Sequence, residues 1–144
     1  MEYRQLRSRL NDDWDFAYDH ERTGHLFTKK KLPSGMTAEF GCDLYEGGII
    51  DLTFSVYKKR SKPWPDDPSK TTGKDGLLPA IWALDCLGSL EHAIIDVGSP
   101  ATICLGWEDS RRRDVYEKVL GKRGYYFDYI DREKLLIKKF NDEG

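Results

Sequence analysis

Apolar and polar positions alternate most cleanly in "IDLTFSVYK", where Leu52, Phe54 and Val56 interleave with Asp51, Thr53 and Ser55. A period of two predicts a strand with one wet face. The two runs before it, "GHLFTKKKL" and "MTAEFGCDL", are separated by "PSG", and "YEGG" leads into the alternating run. Glycine and proline in those positions suit hairpin turns, so the first half reads as an antiparallel meander. The first ten residues are compatible with a short amphipathic helix, and "NDDWDFAYDH" shows no clear period.

After the proline-rich stretch "RSKPWPDDPSKTTGK" the period changes. Leu77, Ala80, Ile81, Leu84, Leu87, Leu90 and Ile94 recur every three or four residues, which predicts a long, mostly buried helix from 76 to about 96. Pro79 falls in its first turn, where the missing amide costs nothing, and "VGSP" closes it. "ATICLGW" then reads as an interior strand. "EDSRRRDVYEKVLGKRGY" follows as a second helix with Asp109 or Ser110 as N-cap, Val115 and Val119 on the inner face and Gly124 as terminator. "YYFDYIDREKLLIKKF" gives a strand, a turn at Asp131 to Glu133, and a strand. The expected fold class is therefore α+β: an antiparallel meander followed by α-β-α-β-β, with two main helices on a mixed sheet.

Composition narrows this without changing it. The 144 residues, 39% of them hydrophobic, suit one domain spanning 1–144. With 23 basic and 25 acidic residues and a formal charge of −2, a uniformly basic nucleic-acid binder is disfavoured. Local basic runs with nearby aromatics, such as "YKKRSK" with Tyr57 and Trp64, leave a stacking surface open as a minor alternative to a solvated face. Met1 is followed by no apolar leader, and no run of 18 apolar residues occurs, so no signal or spanning helix is expected. Cys42, Cys86 and Cys104 are scattered in apolar surroundings and form no CxxC pair, which predicts reduced core thiols and a cytoplasmic setting. His20, His25 and His92 lack metal-ligand spacing.

Candidate chemistry centres on Lys70-Thr-Thr-Gly73-Lys74-Asp75-Gly76, directly before the long helix. Free amides at a helix start, with Lys70 and Lys74 nearby, suit a phosphate; equally, Gly73 and Gly76 serve as the turn from strand to helix. The spacing resembles the Gln/Arg-x-x-Gly-x-Gly/Ala loop of GNAT-type acyltransferases, in which three antiparallel strands precede a loop that holds the pyrophosphate of acetyl-CoA. Lys70 stands for the first residue, and Asp75 stands where that family keeps a small one, bringing a carboxylate near the phosphates. The last helix of the family is similar to "DSRRRDVYEKVLGKRGY" at Asp109, Val115, Tyr116, Glu117 and Lys118, although the final glycine-aromatic pair comes three residues late. Small uncharacterised phage proteins with a "TGKGDA" loop are similar over roughly Ser55 to Tyr125.

The resemblance implies acetyl-CoA as cofactor, bound at Lys70, Gly73, Lys74 and Gly76. It implies Tyr116 as the donor of a proton to the departing thiolate, against the alternative of a tyrosine ring packed on the sheet. Glu46 or Asp51, on or beside the central strands, would be the base, with His25 and His92 as further candidates because histidine is a common general base. Arg111, Arg112 and Arg113 oppose the dipole of their own helix, which implies a ligand or a partner protein for them. Two function classes follow: an acyltransferase acting on an amine, and an inactive GNAT-shaped protein that binds a host protein.

Overall fold

A computed structural model describes residues 3–19, 23–58, 75–107 and 110–142. Ten elements follow one another: α1 (Tyr3–Ser8), β1 (Asp15–Asp19), β2 (Gly24–Lys31), β3 (Thr37–Tyr45), β4 (Ile49–Tyr57), α2 (Leu78–Val97), β5 (Ala101–Leu105), α3 (Ser110–Gly121), β6 (Tyr126–Ile130) and β7 (Glu133–Phe140). The class is α+β, with a seven-stranded mixed sheet in the order β1-β2-β3-β4-β5-β7-β6 and three helices among the described residues. The short helix compatible with the first ten residues is α1, and the stretch after it, which showed no clear period, supplies the edge strand β1.

All neighbouring strands are antiparallel except β4 and β5. Those two meet as Ile49↔Thr102, Ile50↔Ile103 and Asp51↔Cys104, after which β4 runs on to Tyr57 without a β5 partner. Gly48 makes the junction possible. Its φ is +78°, and a Cβ there would stand 2.6 Å from the Pro100 carbonyl oxygen, so only glycine lets the hairpin approach the start of β5. The Gly48 carbonyl accepts the first bond of the parallel pair from the Thr102 amide at 2.8 Å.

The strand period sorts residues to two faces. Leu26, Phe40, Cys42, Leu44, Ile50, Leu52, Ile103 and Leu136 join Tyr3 and Leu6 of α1, Leu87, Leu90 and Ile94 of α2, and Leu120 of α3 in one core. All three helices thus contribute to the cluster on one face. The other face carries a smaller apolar group made only of strand residues: Cys104, Leu135 and Ile137, with Ile49 and Ile130 packed against them. The same face also carries His25, Phe27, Asp43 and Asp51.

Two expectations about faces need correction. The long helix is buried only toward its C-terminal half, at Cys86, Leu87, Leu90, Glu91, Ala93 and Ile94, whereas Leu77 and Ile81 are more than half exposed. Val115 and Val119 of α3 are exposed as well; Leu120 is the residue that enters the core. A helical period fixes which positions share a stripe, but not whether another element lies opposite. By length and mean hydropathy alone α2 is apolar enough to cross a membrane, as the core helices of soluble proteins also can be. Its buried stripe packs on the sheet.

The caps of α2 follow from local chemistry. Pro79 lies in the first turn as expected, and no side chain caps the N-terminus. At the other end Gly98, with φ +83°, returns its amide to Ile94 O at 3.2 Å. Asn141 donates to the carbonyls of Ile94 and Ser99, both at 2.9 Å, and so ties the end of β7 to the end of α2.

Candidate functional site

Where β4 loses its β5 partner, a cavity of about 470 Å³ opens between the two strands and beneath α2 and α3. Its walls are mainly apolar: Phe40, Leu52 and Phe54 from the sheet, Ala80, Ala83, Leu84 and Leu87 from α2, and Val115, Val119 and Leu120 from α3. The exposed valines of α3 are therefore one lip of a cleft. Polar groups enter at a few points only: Asp51 and Thr53 on β4, Arg112 and Tyr116 on α3, and Glu133 at the start of β7.

Asp51 is held at the last paired position of β4, half-buried, with the Cys104 thiol 3.9 Å from its carboxylate. Burial raises its pKa above the ordinary carboxylate range, and the charges of Asp43 and Glu133 push in the same direction. Such a group is a better proton acceptor than a solvated aspartate. Cys104 is no nucleophile at neutral pH, because burial and then Asp51 push its thiol up to about 12. Burial likewise raises Cys86, to about 11, and Cys42 further. All three cysteines are free thiols.

The structure brings only some of the candidate residues together. Asp51, Tyr116 and Arg112 line the cleft. Tyr116 also packs against the edge of the core, so the catalytic and packing readings of that ring are compatible. Glu46 sits in the β3–β4 turn, exposed and away from the cleft lining. Arg113 pairs with its neighbour Asp114 at 3.3 Å, and the Arg111 side chain lies outside the described part. Lys70, Gly73 and Lys74 lie outside the described residues, as do Asp109 and His20. Gly76 is left-handed, with φ +57°, at the entry to α2. His92 lines a separate polar groove with Arg9, Trp14, Asp85 and Arg123 on another side of α2.

Asp75 has a partner that no spacing rule could supply. Its carboxylate accepts the Ser34 amide at 3.0 Å and the Ser34 hydroxyl at 2.5 Å, from the turn between β2 and β3. The charge that occupies the small-residue position is thereby engaged by the turn. Among the described residues no group of three His, Cys, Asp or Glu is arranged to hold a metal ion. No protein-family model matches the chain, and no curated protein matches it either.

Proposed function

We propose that the chain is a GNAT-like acyltransferase that takes an acyl group from acetyl-CoA and transfers it to an amine. The observation that carries this reading is the apolar cleft where β4 leaves β5, with Asp51 and Tyr116 both on its wall. The antiparallel β2-β3-β4 meander ahead of α2 supports it, as does the strand-by-strand order that follows. The residues fit the cofactor. Beyond Asp51 the edge of β4 that faces β5 is free of strand partners, which suits an extended, amide-bearing arm, and the apolar walls suit its methylenes. The start of α2 has neither a side-chain cap nor an acidic residue in its first turn, and the Asp75 carboxylate is taken up by Ser34.

When bound, the cofactor supplies an activated thioester. Asp51 would take the proton that an ammonium acceptor must lose before its nitrogen can attack, its raised pKa making it a better acceptor than a solvated aspartate. Tyr116, which lines the cleft from α3, would give a proton to the leaving sulfur, and the second proton that the nitrogen sheds on becoming an amide would restore the phenol. The apolar lining keeps water from the thioester.

Addition of acetyl-CoA is expected to raise the melting temperature, by several degrees at a hundredfold excess over Kd. Ala83→Phe, which fills the cleft from α2, should abolish that shift. No shift for the wild type at millimolar acetyl-CoA would sink the enzyme reading. The second reading, an inactive GNAT-shaped protein that binds a host protein, is favoured by one observation: Leu77, Leu78 and Ile81 are exposed together at the start of α2. It predicts a stable complex lost on Ile81→Asp, with no response to acetyl-CoA.

A further inference from the structure

The cleft sorts its lining by depth. The lining residues that are almost fully buried are Phe40 on β3, Leu52 on β4, Leu87 on α2 and Leu120 on α3, and every one of them is apolar. They form the floor. The polar lining groups lie nearer to solvent: Thr53 and Glu133 are exposed, and Asp51, Arg112 and Tyr116 are only partly buried. A group that passes this polar mouth meets hydrocarbon contributed by two strands and two helices.

The apolar surface also continues outward. Val115 and Val119 stand one turn apart on α3, exposed, and line the same cleft. On α2 the lining residues nearest the start of the helix are small, Ala80 and Ala83, and those further in are Leu84 and Leu87. A hydrocarbon track thus runs from an open lip to a closed floor.

Volume decides what such a floor can be for. The cleft measures about 470 Å³. A water-sized unit fills roughly 30 Å³, so an acetyl group would occupy only a small part of it. The amide-bearing arm of the cofactor has polar groups to satisfy, which the free edge of β4 can meet and the floor cannot. A cavity walled by leucine and phenylalanine holds water poorly and takes apolar ligands instead. Left unfilled, it costs stability.

We propose that the floor is a pocket for an unbranched acyl chain of roughly eight carbons, at about 30 Å³ per carbon beside the cofactor arm. The donor is then a medium-chain acyl thioester, and acetyl is the shortest group the cleft takes. The chain pocket follows from the walls; the thioester that carries the chain rests on the acyltransferase reading of the same cleft. Every methylene moved from water onto the floor adds to the binding of the donor, and an acetyl group has none to add.

Calorimetric titration with acetyl-, butyryl-, hexanoyl- and octanoyl-CoA, each below its micelle-forming concentration, reads the pocket without any turnover. Kd should fall about two- to fourfold per added methylene, so that octanoyl-CoA binds at least about fifty times more tightly than acetyl-CoA. The heat-capacity change of binding should grow more negative along the series, as burial of apolar surface requires. Affinities for acetyl- and octanoyl-CoA that agree within about threefold overturn the pocket.

Leu52→Phe places a ring on the floor from a strand that tolerates it, and should remove most of the octanoyl gain while leaving acetyl-CoA binding within about threefold of wild type. An equal loss for both thioesters overturns the assignment. If that variant does not fold, Phe40→Leu deepens the floor and should move the best chain length up by about one or two carbons. An unmoved optimum overturns it as well. Titration with sodium octanoate separates the failure of the pocket from that of the acyltransferase reading. Thioesters that all bind alike leave that reading standing and remove the pocket. Octanoate that binds as tightly as any thioester leaves the pocket standing and removes the acyltransferase reading. Binding of neither octanoate nor any thioester removes both.

Discussion

The two halves of α2 are made of similar residues and put to opposite uses. Toward its C-terminus the helix buries Leu87, Leu90 and Ile94, and even its charge is satisfied. Glu91 accepts from Arg123 Nη2 and the Tyr125 hydroxyl, each at 3.0 Å, and meets Lys138 Nζ at 3.5 Å, joining α2 to the end of α3 and to β7. Toward its N-terminus the helix carries Leu77, Leu78 and Ile81 in contact with solvent, beside a cleft. A buried carboxylate with three partners marks the half that holds the fold. Exposed leucines and isoleucines beside a cavity mark the half left open for a ligand.

The largest expected effect breaks the closed half. Glu91→Ala leaves Arg123 and Lys138 without their shared anion and should cost about 3 kcal/mol in urea unfolding; a loss under 1 kcal/mol would mean the network is ornamental. Next comes Tyr125→Phe, which deletes a hydrogen bond to a charged acceptor and should cost roughly 1.5–3 kcal/mol. It carries a pH signature. Burial, and then Glu91, raise the Tyr125 pKa above its ordinary value, so the folded state holds that proton longer than the unfolded one. The wild type should therefore lose stability as pH rises above the ordinary tyrosine value of about 10. Tyr125→Phe should flatten that decline, and identical alkaline profiles would refute the assignment. The smallest effect lies in the open half: Ile81→Ser should change stability by no more than about 0.5 kcal/mol while weakening ligand or partner binding. A large loss of stability there would erase the contrast between the halves.

The elements with a strong period were legible in the sequence for physical reasons. The alternation in β4 and the three-to-four spacing in α2 record burial on one side, and burial is what dominates folding energy. β1 left no trace because "DFAYD" is a short edge strand whose pairing is decided by β2. The faces of Val115 and Ile81 were misjudged because amphipathicity points to a stripe and not to what covers it. Within the candidate site, Asp51 could be named only together with Glu46, by its place on the central strands, and Tyr116 by resemblance. That His25, Asp43 and Asp51 lie side by side on β2, β3 and β4 could not be read in this way, since it follows only once two registers are known. The partner of Asp75 is 41 positions away in a turn, and nothing local announces it.

That clasp has a consequence for how the chain can change over time. β4 ends at Tyr57, which pairs with Thr37 just after the β2–β3 turn, and Asp75 is fastened to Ser34 inside the same turn. The chain thus departs from and returns to one corner of the molecule. The span that the intervening chain must bridge is therefore set by the β2–β3 turn, where both ends are held. Insertions between these two fixed points would leave the register of the sheet and the start of α2 untouched, making this corner the natural place for the sequence to diverge.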